Sequence, residues 1–120
     1  MSNPIQFLAK LIEWGEPVKF NKEKGGIFTL QVDEEYKEQL HSLIDYQGLC
    51  LLVHIELYKD ENAIVEMVCS IDTWGYPIAT SAKGGGRVTF EVPAIHKEDL
   101  KDLDNNYQHE DLFVHIEIDT

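Results

Sequence analysis

Positive charge is scarce in this chain: ten Lys and Arg stand against 22 Asp and Glu, a formal net charge of −12 over 120 residues. That field repels phosphate backbones, so direct nucleic-acid binding is disfavoured and a partner protein with a basic surface is favoured. Cysteine is scarce too. Cys50 and Cys69 lie in separate apolar runs and in no CxxC spacing, which predicts free buried thiols and argues against a disulfide framework. A reducing, cytoplasmic setting fits that usage. Long apolar runs are missing, since nothing approaches the roughly 20 residues that span a bilayer, and residues 1–13 lack the basic and then apolar stretches of a secretion signal. The expectation is therefore a protein with no membrane association.

Assembled catalytic motifs are missing as well. Ser42, Ser70 and Ser81 sit in no nucleophile elbow, and neither cysteine has a basic neighbour in sequence that would lower its pKa. His41, His96 and His109 follow no recurrent pattern. Carboxylates are so abundant that any two could be named an acid–base pair, which is a reason to name none. The sequence favours a non-enzymatic protein without a cofactor.

What the sequence has is repetition. At an offset of 60, Trp14, Gly15 and Pro17 fall on Trp74, Gly75 and Pro77; Gly25 and Gly26 on Gly85 and Gly86; Thr29 and Val32 on Thr89 and Val92. Lys37, Glu38, Leu40 and Leu43 fall on Lys97, Glu98, Leu100 and Leu103. One inserted residue moves the offset to 61, where Tyr46 and Gln47 match Tyr107 and Gln108, and Leu51, Val53, His54, Ile55 and Glu56 match Leu112, Val114, His115, Ile116 and Glu117. Two copies are too few for a solenoid. They predict a pseudo-two-fold pair of units, residues 1–60 and 61–120, joined in one compact domain, with a homodimer as a further possibility.

Each unit reads β-β-β-α-β. Alternation of apolar and polar residues predicts first strands over 5–14 and 64–74, short second strands over 18–20 and 78–80, and third strands over 27–32 and 87–92. The glycines between the second and third strands predict tight hairpin turns. Asp33 and Pro93 suit helix starts, and Tyr36, Leu40, Leu43 and Ile44 form one helical stripe. Final strands are expected over 49–58 and 112–118. The short polar segment 59–62 predicts a sharp reversal. The predicted class is α+β, mainly β, with the two units forming a pseudo-two-fold sandwich or a barrel-like antiparallel sheet that hides its edges.

Four sets of residues are candidates for function. Glu34, Glu35 and Glu38, with Glu98, Asp99 and Asp102, load the predicted helices with carboxylates, which suits a basic partner; spaced carboxylates on a rigid scaffold can also mimic nucleic acid, as an inhibitor would. Lys83 and Arg87 flank the second glycine turn and form the most basic spot, an anion contact if nucleic acid is bound after all, although the glycine spacing matches no phosphate loop. Trp14 and Trp74 could act as stacking platforms in such a barrel, or simply as plugs at strand ends. His54, Glu56, His115 and Glu117 carry the repeated His-Ile-Glu. On a strand His and Glu two apart share a face, so the four could surround a metal if the final strands were adjacent.

Overall fold

The computed structural model describes residues 4–11, 18–20, 25–46, 52–71, 78–80, 85–108 and 110–118. Trp14, Trp74, Lys83, Cys50, Ser81 and His109 lie outside them, as do the expected ends of the first strands and the beginning of the fourth. Among the described residues eight strands are formed: β1 (Ile5–Leu11), β2 (Val18–Phe20), β3 (Gly26–Val32), β4 (Val53–Lys59), β5 (Asn62–Ile71), β6 (Ile78–Thr80), β7 (Gly86–Val92) and β8 (Asp111–Ile118). Two helices, α1 (Lys37–Ile44) and α2 (Lys97–Asn106), each follow a 3-10 turn, Glu34–Tyr36 and Ala94–His96.

All pairings are antiparallel, and six strands close on themselves in the order β3-β1-β8-β4-β5-β7, with β7 returning to β3. Of the two architectures expected, the chain takes the barrel. The short β2 and β6 form hairpins with β3 and β7. Strands from both halves of the chain contribute to the barrel, β8 of the second half inserting between β1 and β4 of the first, and one core runs through it.

Alternation sets the core. Phe7, Ala9 and Leu11 of β1, Phe28, Leu30 and Val32 of β3, and Leu112, Val114, Ile116 and Ile118 of β8 point inward and are buried. At the β3–β7 pair, Thr29 lies opposite Thr89 and their hydroxyls hydrogen-bond at 3.0 Å, while Phe28 and Phe90 stack inside with ring centres 5.3 Å apart. Because β3 and β7 are antiparallel, the helices that follow them start at opposite barrel ends. Leu40 and Leu43 of α1 and Leu100 and Leu103 of α2 are fully buried, so each helix contributes its apolar stripe to the core.

The structure changes two local expectations. Asp33 makes no side-chain cap; the Tyr36 amide instead donates to the Asp33 carbonyl at 3.0 Å, and a 3-10 turn precedes α1. The paired glycines also do more than turn a hairpin. Gly26, at φ +145°, and Gly86 each open a strand where the partner strand runs too close for a side chain: a Cβ would sit 2.1 Å from the Lys19 carbonyl oxygen or 1.9 Å from that of Ala79. The segment 59–62 is the expected reversal, with Lys59 opposite Asn62 and both Asp60 (φ 51°) and Glu61 (φ 71°) in the left-handed region.

Candidate functional site on the outer face of four strands

The outward side chains of β1, β8, β4 and β5 form rungs across the barrel. One rung runs Gln6, His115, Glu56, Glu66; each is directly opposite the next. The rung beside it runs Glu117, His54, Val68. On the other side lie Leu8, Phe113 and Tyr58. The adjacency of β4 and β8, which the sequence could not establish, thus brings His54, Glu56, His115 and Glu117 onto one face.

Their partners are specific. His54 Nε2 lies 2.8 Å from Glu66 Oε1. Tyr58 donates its hydroxyl to Glu56, and that hydrogen bond, before other causes, raises the Tyr58 pKa. His115 Nδ1 accepts from the Gln6 amide at 2.8 Å, and its Nε2 lies 3.4 Å from Glu117 Oε1. With Nδ1 accepting, the proton belongs on Nε2 and is directed at Glu117. His54, Glu56 and Glu66 each offer a ligand atom within 4.8 Å of the others'.

Glu66 is the residue that sequence reasoning missed. Counting outward from the turn pair Lys59–Asn62 would set Glu56 opposite Val65. A register irregularity between Leu57 and Tyr58 slips the pairing by one, so Leu57 meets Val65 and Glu56 meets Glu66. A one-residue slip exchanges the two faces of a strand, and here it delivers a carboxylate to the rung.

Beside these groups lies an apolar border. Leu8 and Phe113 are 44% and 39% exposed and face each other across β1 and β8; Phe113 meets the edge of Tyr58 with ring centres 6.1 Å apart. A large aromatic left half-open beside ionisable groups is a feature of contact surfaces.

The other candidates are placed apart. Glu34, Glu35 and Glu38 stand where α1 begins, Glu98, Asp99 and Asp102 where α2 begins; the ends of β3 that separate these starts are roughly 20 Å apart at strand rise. Glu35 lines a groove with Asp33, Lys10 and Asp111. Glu98 is ion-paired with Lys101 at 3.4 Å, and Asp102 accepts from Asn106. Asp99 is held by His96, whose Nδ1 lies 3.2 Å from it. His96 Nε2 accepts the Val68 amide at 3.3 Å, so the ring carries its proton on Nδ1 and bridges α2 to β5. Arg87 is exposed on β7, opposite Gln31 and Ala79. Cys69 is a free buried thiol whose pKa burial pushes up to about 12. No helix is long and apolar enough to cross a membrane among the described residues.

Comparison with known proteins finds no matching family, no related curated sequence and no matching solved structure.

Proposed function

We propose that the protein is a non-enzymatic binding protein that acts by contact with another protein, through the outer face of β1, β8, β4 and β5. The observation that carries this reading is the half-exposed Leu8–Phe113–Tyr58 rung set directly against the His and Glu rung. Aromatic and aliphatic anchors bordered by charge are the composition that concentrates binding energy at protein interfaces. The net charge of −12 favours a basic partner and raises the encounter rate with one. The buried Cys69 thiol holds its proton and is therefore a poor nucleophile. An acidic protein of this kind could occupy a nucleic-acid-binding surface on its target, with the helix-start carboxylates as the mimicking charges.

The duplication belongs to the same reading. The β3–β7 register is symmetric about Thr29 and Thr89, and the β4–β8 register about Ile55 and Ile116; both pairs are matched positions of the two sequence units. That supports descent of the barrel from one β-β-β-α-β unit, whose outer faces have since diverged.

Leu8→Glu with Phe113→Glu tests the face. Captured from a native lysate, the partner should be recovered at least tenfold less by the double variant, equivalent to about 1.4 kcal/mol or more, with the thermal midpoint unchanged. Equal recovery removes this face. Charge reversal of Glu34, Glu35, Asp99 and Asp102 tests the electrostatic part: unchanged recovery would leave the helix-start carboxylates without a role.

A further inference from the structure

We propose that His54, Glu56 and Glu66 bind one divalent transition-metal ion of the zinc class, a role independent of any protein partner. The chemistry of the donors comes first. One imidazole and two carboxylates are a ligand set that zinc-class ions accept, three protein groups leaving a fourth position open to solvent. All three sit on strands, whose backbones are fixed by the barrel, so a cation meets donors already gathered on one face. Their ligand atoms lie within 4.8 Å of one another, and a tetrahedral ion with bonds of about 2.0–2.1 Å needs them roughly 3.3 Å apart. Glutamate side-chain rotation covers that difference.

The second argument is electrostatic. Glu56 and Glu66 are directly opposite on paired strands, and like charges so placed repel. A divalent cation between them turns the repulsion into two attractions. His54 meets Glu66 now through a hydrogen bond at 2.8 Å; to take the ion the neutral ring shifts its one proton through solvent from Nε2 to Nδ1, and Nε2 supplies its lone pair to the metal. Tyr58 donates its hydroxyl to the Glu56 carboxylate, as outer-shell donors do to metal-binding carboxylates.

The third argument is a contrast within the molecule. His115 and Glu117 repeat the His-Ile-Glu arrangement one strand away, but on β1 the residue opposite His115 is Gln6, an amide that already occupies Nδ1 at 2.8 Å, and the carboxylate opposite it on β4 is Glu56, which the proposed site already uses. An amide adds no charge, and His115 has no second carboxylate opposite it on β1. The irregularity between Leu57 and Tyr58, which sets Glu66 opposite Glu56, has no counterpart in the β1–β8 pairing, which runs unbroken from Ile5 to Lys10. Among the described residues one such site follows, not two.

The test is titration of the full untagged chain with Zn²⁺ by calorimetry, and with Co²⁺ by visible absorption to report the coordination number. The expected result is one ion per chain. His54→Ala and Glu66→Gln should each weaken binding at least tenfold, Tyr58→Phe by about tenfold as an outer-shell change, and His115→Ala should leave it unchanged. All four positions are at least partly exposed, and far-UV circular dichroism confirms that each variant is folded. Absence of saturable heat in the wild-type chain overturns the proposal. So does wild-type affinity in His54→Ala, or loss of binding in His115→Ala, which would move the ion to the β8 pair.

Discussion

Cys69 and His96 show how single side chains set conditions for the rest. The Cys69 thiol points into the core from β5, and desolvation moves its pKa from 9.0 to about 12. The folded chain therefore keeps a proton that the unfolded chain loses. Stability from this group is fully present below pH 9 and is lost as pH rises from 9 toward 12, with a slope of up to about 1.4 kcal/mol per pH unit. Cys69→Ala should flatten that part of the stability–pH curve, measured by urea unfolding at pH 8, 9 and 10. His96 acts through geometry instead. Below the two-residue β5–β7 pairing, Ser70–Glu91 and Ile71–Phe90, its ring accepts the Val68 amide in place of a strand. His96→Ala leaves that amide without its acceptor and should cost about 1–2 kcal/mol, with faster hydrogen exchange at Val68 as the local signature.

At the scale of elements, the β4–β5 turn and the two helices make opposite demands. The turn places two residues other than glycine at positive φ. An L-residue there costs about 1–2 kcal/mol and glycine's extra chain entropy costs about 0.5–1 kcal/mol, so Glu61→Gly should stabilise the fold by about 0.5–1 kcal/mol. A rise in the urea midpoint at constant slope checks it. The helices are short and depend on packing: Leu100→Ala removes a fully buried side chain and should cost about 2–5 kcal/mol. These elements were largely legible in the sequence. Period two marked the strands, the Leu40–Leu43 and Leu100–Leu103 spacing marked the helices, and the polar 59–62 segment marked the reversal. Less legible were features set by a neighbour. The 3-10 turn before α1 closes on the Asp33 carbonyl although an Asp side chain was free to cap it, and Gly86 is needed because the Ala79 carbonyl lies against it. Sequence spacing carries no trace of such approaches.

For the whole molecule, the same distinction decides what could be read of the site. The repeated His-Ile-Glu was visible as a pattern, and its meaning waited on whether β4 and β8 are neighbours. They are, because six strands close into a barrel and not into two stacked sheets. Glu66 was invisible because a single slipped residue, and not a motif, places it. The helix carboxylates were visible as composition but stand at two separate ends, so a basic partner that engages both must reach along the barrel wall.

Barrel closure also dictates an order of events in time. β8 hydrogen-bonds to β1 on one side and β4 on the other, with Ile116 opposite both Ile5 and Ile55. On a ribosome both flanking strands emerge long before the strand that joins them, so the nascent chain must hold β1 and β4 unpaired on those edges until β8 arrives. Such exposed edges invite strand addition from other chains. A net charge of −12 opposes that pairing, because unfinished copies carrying the same excess of carboxylates repel one another.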